Sequence, residues 1–399
     1  MSTSCELLVS VDIGSREHSV AIGLRDGTVV DEFSIRHERA GFDQFFEHIE
    51  KHRSTSQMQV LVAMEGYNGH ARPLDRLVQT RDYRLFNVNN LKLARFKEIF
   101  PGAAKTDAID ARKGLELFQL QSSLPLAKDV LNEVAISPTE NEHLKRLSRR
   151  RRRLVKERVR VVNSMCSDLQ AISPGLVELT NHGYEKWFIN FLLLAKTDIT
   201  ELARKRQKTL LRVSRIGQIR AKALATWQSA ALFSDDSALV SPLVLEDARH
   251  IQELNSRIEQ LAHQIEQLNG QSDYAQLLQS IPGFGTISAA ELAGEIGSMD
   301  RFAGSASLAL YLGISPLDHS SGTSRGSRSS NQVNKRAKSA MMAAADHNRR
   351  QSEQSKIYYD KKRSEGKSHN QALRCLSLQL TKMIYKMLTS KLPYKNKSA

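Results

Sequence analysis

Two carboxylates each follow a run of residues typical of a buried β-strand. Asp12 comes after the apolar alternation of residues 7–11, and Glu65 comes directly after the apolar run 58–64. A glycine follows each acid within two residues, which favours a turn. If the two strands are neighbours in a sheet, their acids would lie side by side and could bind a divalent metal ion. Taken alone, Asp12 is equally typical of a turn residue that bonds its own backbone.

Two further acids occupy the start of a predicted helix. Asp107 and Asp110 follow Thr106, a residue type that caps helix N-termini, and their spacing of three places both on one helix face. Acids in a first turn also interact favourably with the helix dipole, so capping is the structural alternative.

The four acids Asp12, Glu65, Asp107 and Asp110 therefore form a candidate DEDD set. Like charges a few ångströms apart repel strongly, so such a cluster requires divalent cations between its members. Two Mg²⁺ ions (or Mn²⁺) about 4 Å apart are the usual apparatus for phosphodiester chemistry. The set predicts a metal-dependent nuclease-type site.

The elements that would carry these acids follow the order β-β-β-α-β-α-β-α, the order of ribonuclease H folds. The predicted segments are a strand hairpin over 7–23, a strand after the Asp26-Gly27 turn, a helix over 40–52, a strand at 58–64 that is followed by a glycine and a helix, a strand at 83–90, and a helix after Thr106. We therefore expect an α/β RNase H-like domain over residues 1–125.

The opening hairpin also matches the phosphate-binding hairpin of the actin, sugar-kinase and chaperone ATPase superfamily, which has the same core fold. Those proteins need a second glycine-rich phosphate loop of DxG type. The sequence has none before its C-terminal half, which disfavours this alternative.

The composition indicates a polyanionic partner. The chain has 399 residues, enough for two or three domains, and a formal net charge of +15. From residue 323 to the end, 18 Lys and Arg stand against 4 Asp and Glu, so nearly all the excess lies there. This pattern favours nucleic acid over membrane.

Three scattered cysteines, Cys5, Cys166 and Cys375, form no CxxC pair. They predict a reducing compartment and argue against zinc. The first residues lack a signal-peptide pattern, and the longest apolar run, 187–195, is too short to span a bilayer. We expect a cytoplasmic, nucleoid-associated protein without a membrane contact.

A long helix over 139–172 carries five consecutive arginines. The run Arg149, Arg150, Arg151, Arg152 and Arg153 would wrap around the helix. Phosphate contact is the favoured interpretation, and a solubilising surface is the alternative.

A second long helix, after Pro242, has a heptad stripe. Its apolar residues are Ile251, Leu254, Ile258, Leu261, Ile265 and Leu268. The stripe could pair with the 139–172 helix or with another protomer, and it predicts a helical coiled-coil linker region over 136–270.

The C-terminal domain, predicted for residues 271–399, is mostly α-helical. Pro282, Gly283 and Gly285 suggest a helix-hairpin-helix-like turn, in which backbone amides approach a DNA phosphate, although a plain helix connector has the same pattern. A loop rich in Ser, Gly and Arg and a basic helix follow. Their predicted phosphate-binding residues are Arg325, Arg328, Lys335, Arg336 and Lys338.

Together these motifs resemble the insertion-sequence transposases related to the Piv DNA invertases, which include the bridge-RNA-guided recombinases. The resemblance rests on the acids, the long basic helix, IPGFGT, and the YLGISP…SSG…KR block, and covers almost the whole chain. It implies a RuvC-like N-terminal domain and a C-terminal transposase domain with a nucleophilic serine, which is Ser321 here, with Ser320 as the fallback. Where the family often has KRGN, this sequence has Lys335-Arg336-Ala337-Lys338.

The implied function is strand cutting and rejoining on donor and target DNA by a homo-oligomer, a dimer or tetramer, guided by an element-encoded RNA. Two alternatives stand beside it. One is a RuvC-like structure-selective endonuclease without a covalent intermediate, and the other is a non-catalytic nucleic-acid-binding protein.

Overall fold

The protein forms two compact units, residues 1–135 and 136–399. A computed structural model describes residues 6–53, 58–65, 69–98, 106–121, 130–315, 317–321, 324–328 and 333–395. Cys5 lies outside these ranges.

The first unit is built on a six-stranded mixed sheet. Its elements are β1 (Glu6–Ile13), β2 (Glu17–Leu24), β3 (Val29–Arg36), α1 (Arg39–His52), β4 (Gln59–Glu65), α2 (Arg72–Thr80), β5 (Arg84–Val88), α3 (Asn90–Lys97), α4 (Asp107–Leu120) and β6 (Leu131–Glu133). The strand order is β3-β2-β1-β4-β5-β6. β4 is parallel to both β1 and β5, and the other pairs are antiparallel. The predicted element order is confirmed, whereas the short β6 was not predicted.

Helices cover both faces of the sheet, which is why its central strands are apolar throughout. On one face, Val9 packs in a cluster with Phe45 of α1. On the other face, Leu8 packs in a cluster with Leu115 and Phe118 of α4. Because side chains alternate along a strand, Ser10 and Asp12 share the α4 side of the sheet with Leu8.

The second unit is almost entirely helical. Its helices are α5 (Thr139–Ile172), α6 (Lys186–Leu192), α7 (Gln207–Leu211), α8 (Gly217–Ser229), α9 (Ser237–Asn269), α10 (Asp273–Gln279), α11 (Thr286–Ile296), α12 (Ser305–Tyr311), α13 (Lys335–Gln351), α14 (Glu353–Ser364) and α15 (His369–Ser390). A hairpin of β7 (Leu317–Ser321) and β8 (Ser324–Arg328) lies between α12 and α13.

The two long helices pair antiparallel within the chain. Near one end, Ser272 donates a hydrogen bond to Asn141 at 2.7 Å, and midway Arg158 donates to Asn255 at 2.7 Å. The heptad residues Ile251, Leu254, Ile258 and Ile265 are buried. The apolar stripe therefore packs within the chain and does not form a surface for a second protomer. α9 also begins at Ser237, with Pro242 inside the helix and not at its start.

The second unit contains two apolar clusters, and α5 and α9 contribute to both. Leu144 and Ile265 belong to the cluster that α10 to α15 complete, while Leu154 and Ile258 belong to the cluster around Phe188. The predicted boundary near residue 270 falls inside this unit.

Candidate active site and nucleic-acid interface

Asp12 and Glu65 lie opposite each other on adjacent parallel strands. The register of β1 and β4 pairs Ser10 with Ala63 and Asp12 with Glu65, at the carboxyl ends of both strands. Both acids occupy alternate positions on the α4 side of the sheet. The predicted neighbourhood of these two acids is confirmed.

Helix α4 brings the other two acids to the same edge of the sheet. Gln119, near its C-terminus, donates to the carbonyl of Leu24, and Leu24 pairs with the first residues of β1. The helix therefore runs antiparallel to β1, with its N-terminus beside the end of the strand. α4 approaches β1 closely at Gly114, where an added Cβ would lie 2.4 Å from Ser10 Oγ.

The two candidate metal ligands Asp110 and Asp12 lie on the same side of the contact between Gly114 and Ser10. Asp110 is one helical turn from Gly114, about 6 Å, and Asp12 is two residues from Ser10, about 6.6 Å along the strand. Thr106 caps the helix as predicted, since its hydroxyl accepts from the Ile109 amide at 3.3 Å. Asp107 is exposed in the same first turn.

The four acids have the donor chemistry of a magnesium site, because Mg²⁺ prefers carboxylate oxygens. Their side chains are not gathered: within the described ranges, no three His, Cys, Asp or Glu side chains form a group that could hold a metal. Asp12, Glu65 and Asp110 each take part in an interaction within the protein. A metal site therefore requires these side chains to converge from the positions that the backbone gives them.

Ser320 and Ser321 lie on a β-strand and not in a loop. In the hairpin, Ser321 pairs with Ser324 and Ser320 pairs with Arg325. The prediction of a loop is therefore wrong for these residues, because they pair with residues of β8. Ser321 is the last residue of β7.

The base of this hairpin is held by a polar cluster around the buried Glu295 side chain. The Asn334 amide donates to the carbonyl of Tyr311 at 2.9 Å, joining the chain on both sides of the hairpin. The Asn334 side chain donates to Glu295 Oε2 at 2.7 Å, and the Tyr311 hydroxyl donates to the Glu295 carbonyl at 2.6 Å. Asn334 also caps α13 by accepting from Arg336 and Ala337. The N-terminus of α13 is therefore capped even though this sequence lacks the glycine of KRGN.

Two of the five arginines are engaged inside the protein. Arg149 contacts Glu295 at 2.7 and 2.8 Å, and Arg152 contacts Glu291 at 2.5 and 2.8 Å. Burial opposes ionisation of Glu295, but the hydrogen bonds from Arg149 and Asn334 outweigh it and keep the pKa of that carboxyl below its usual value.

The guanidinium groups of Arg149 and Arg152 thus fix α5 to α11, which disfavours phosphate contact by these two residues, and such contact stays a prediction. Arg151 is half-buried, and its Nε atom has no hydrogen-bond partner in the described part of the chain. Arg150 and Arg153 are exposed, and the prediction of phosphate contact stays with them.

Gly283 and Gly285 have different surroundings in the turn between α10 and α11. Gly283 has a φ of +82°, and an added Cβ would lie 2.5 Å from the Asn348 amide of α13. The close contact that requires glycine at this position is thus with the protein's own helix, and the DNA contact of Gly283 stays a prediction. Gly285 has open space around it and precedes the N-terminus of α11. A cavity of about 520 Å³ lined by Gly285, Arg152 and His347 adjoins this helix start.

The remaining predicted phosphate contacts lie on or before the basic helix. Lys335 and Arg336 are exposed in the first turn of α13, while Lys338 is half-buried, and burial beside Arg374 lowers its pKa. Arg325 and Arg328 lie in β8.

Glu291 and Glu295 are the site residues that sequence reasoning missed. They lie four residues apart in AAELAGEI, a segment of α11 that is otherwise composed of Ala, Leu, Ile and Gly. Two acids on one face of such an apolar helix need buried cationic partners. The five arginines could have been recognised as those partners.

Two other sequence predictions can be compared with the structure. Cys166 and Cys375 are free thiols. Among the helices of the described ranges, none is long and apolar enough to cross a membrane.

Two regions of the chain match family models. Residues 9–174 match the DEDD model of IS110, described as a transposase, and residues 275–360 match a model described as transposase IS116/IS110/IS902 family. The chain is 24% identical, over 96% of its length and 94% of the relative, to an uncharacterized 44.8 kDa protein of insertion element IS116 from Streptomyces clavuligerus. It is 26% identical to an uncharacterized 43.6 kDa protein of insertion element IS110 from Streptomyces coelicolor, over 75% of this chain and 74% of the relative.

Proposed function

We propose that this chain, which belongs to the IS110/IS116 family of insertion-element transposases, cuts and rejoins DNA strands with a DEDD carboxylate set and a nucleophilic serine. The observation that carries the proposal is the pairing of Asp12 with Glu65 on the sheet edge toward which the N-terminus of α4 is directed. This arrangement supports an RNase H-like, RuvC-like assignment for the first unit.

The acids have one role in this proposal. Asp12, Glu65, Asp107 and Asp110 would hold Mg²⁺ or Mn²⁺, which supplies positive charge against the scissile phosphate when bound. In the protein alone, the same carboxylates would repel a DNA phosphate, so their number argues against simple DNA binding.

The serine has the second role. The Ser321 hydroxyl oxygen attacks phosphorus and loses its proton, while the bond from phosphorus to one strand oxygen breaks and that oxygen leaves as a hydroxyl. The phosphoserine diester keeps the energy of the broken bond. Attack on it by a hydroxyl from another strand end restores a DNA diester and the free serine, so rejoining needs no energy-rich cofactor.

A guide RNA and a homo-oligomer complete the proposal, and both rest on the family resemblance. Sequencing RNA that copurifies with the protein, expressed together with the DNA that flanks its gene, tests the guide. A single enriched species from that flanking DNA is expected, whereas RNA of random cellular origin would refute this part.

The test of the nucleophile is a DNA substrate that traps the cleaved intermediate. Wild-type protein should become covalently attached to DNA through a peptide containing residues 319–325, and Ser321→Ala should abolish the adduct. Ser320→Ala is the matched control and should keep most of it. An adduct lost only in Ser320→Ala would move the nucleophile by one residue, and cleavage without any adduct would favour the endonuclease alternative.

The carboxylates are tested separately. Asp12→Ala should reduce strand exchange more than about tenfold, because loss of a metal ligand removes several kcal/mol of transition-state stabilisation. DNA binding should remain. Asp43→Ala, an exposed acid of α1 that pairs with Arg39, is the control. Exchange by Asp12→Ala at more than a tenth of the wild-type rate would exclude the metal-ligand role.

A further inference from the structure

A cavity of about 400 Å³ lies in the second unit between α5, α6, α8 and α9. Its size is within the ~300–1,000 Å³ range of small-ligand sites. Most of its wall lies between the two regions that match family models. The proposed strand cutting and rejoining makes no use of it.

The cavity is lined by arginines that lie over aromatic rings. The Arg158 guanidinium carbon is 3.9 Å from the centre of the Tyr184 ring, and that of Arg220 is 5.0 Å from the Trp187 ring. Arg158 Nε is buried and has no hydrogen-bond partner among the described residues. Flat guanidinium groups over aromatic rings are surfaces on which a nucleobase can stack.

The charge of the lining is positive. Arg215 and Arg220 are exposed at the cavity, and Arg215 has a φ of +68°. The two acids of the lining have contacts of their own. Glu185 accepts hydrogen bonds from the amides of Asn181 and His182 at 3.0 and 3.1 Å, and Glu259 lies 3.9 Å from Lys186. The arginines are therefore the dominant charge that an approaching anion meets.

The rim also carries side-chain amides. Gln252 donates to Asn190 at 3.2 Å, which holds both side chains in place. Each amide combines donor and acceptor atoms, as base edges require. An acidic peptide would use only the cations, whereas a nucleotide uses the cations, the stacked planes and the amides together.

We propose that this cavity binds an unstacked nucleotide of a single-stranded nucleic acid, with Arg215 at its phosphate and the Arg158–Tyr184 and Arg220–Trp187 pairs beside its base. The site is separate from strand cleavage, so Ser321→Ala should leave it unchanged.

Tryptophan fluorescence provides the test, because the chain has two tryptophans and only Trp187 lines the cavity. In a Trp227→Phe background, a short single-stranded oligonucleotide should quench Trp187 and saturate. Arg220→Gln should weaken binding about tenfold, as expected for loss of one stacked base. Arg212→Gln, a nearby exposed arginine outside the lining, is the matched control and should bind as the parent does. RNA and DNA oligonucleotides of one sequence then distinguish the two sources of the strand.

Two results would overturn the proposal. One is equal quenching by a duplex of the same sequence, and the other is an equal loss of affinity in Arg212→Gln, since both would indicate general charge attraction. Crosslinking of a thio-substituted oligonucleotide to the unmodified protein avoids any effect of Trp227→Phe on folding. The crosslinked peptide should contain residues 184–190, and crosslinks confined to other peptides would refute the site.

Discussion

Arg149 and Glu295, 146 residues apart in the chain, form a two-point ion pair with contacts of 2.7 and 2.8 Å. The Glu295 side chain is 1% exposed, whereas that of Arg149 is 39% exposed. The carboxylate is thus the member that depends on its partner for charge compensation. Through Asn334, the same carboxylate is joined to the base of the serine hairpin.

We predict that Arg149→Gln destabilises the protein by about 3 kcal/mol, because removing the arginine leaves the buried Glu295 carboxylate without its compensating charge. Urea unfolding measures the free energy. Arg257→Gln, with a 53% exposed side chain, is the control and should change it by less than about 0.5 kcal/mol. Equal values for the two variants would mean that the pair adds nothing to stability.

The free energy of unfolding should depend on pH in a way that reports the ionisation of Lys145. Burial, followed by repulsion from Arg149 and Arg301, lowers the pKa of Lys145 from 10.5 to about 8. Attraction by Glu295 and Glu142 opposes this shift. Between about pH 8 and pH 10.5, Lys145 therefore carries fewer protons in the folded protein than in the unfolded chain. Its buried charge destabilises the folded protein fully below about pH 8, and this destabilisation disappears as the pH rises to about 10.5. Lys145→Met should be more stable than wild type at about pH 7, and the difference should shrink toward pH 10. A difference independent of pH would contradict this.

Salt dependence should separate the arginines of α5. Replacing Arg150 and Arg153 by Gln should reduce the slope of log affinity against log salt by ~0.7 to 0.9 per lost phosphate contact. Arg149→Gln, in contrast, should lower stability and leave the slope unchanged. An unaltered slope in the Arg150/Arg153 double variant would identify the exposed arginines as a solvated surface.

Substitution by alanine should affect melting temperature at one of the two turn glycines and DNA binding at the other. Gly283→Ala should lower the melting temperature strongly, because it strains a positive φ and drives a methyl group against the Asn348 backbone. Gly285→Ala should leave melting nearly unchanged, since its φ is −71° and its surroundings are open, but should weaken DNA binding if a phosphate approaches α11 there. Normal binding by Gly285→Ala would remove the turn from the interface.

Local patterns accounted for much of the first unit and less of the second. Strand alternation and the Thr106 cap predicted the positions of Asp12, Glu65 and α4, because these features depend on residues close in sequence. The partners of Arg149 and Arg152 depend on how α5 packs against α11, which no local pattern encodes. The pairing of Ser321 with Ser324 escaped prediction for another reason: Ser, Gly and Arg have weak strand propensity, so the hairpin is specified by its surroundings.

The long separation between α5 and α11 also has a consequence for synthesis of the chain. At about 5–20 residues per second, a ribosome needs roughly 7–30 s to extend the chain from Arg149 to Glu295. During that interval the nascent α5 carries five arginines, and their partners Glu291 and Glu295 have not yet been synthesised. A nascent polycation attracts RNA, so this helix would meet polyanions, including its own messenger, before it meets its partners in the fold.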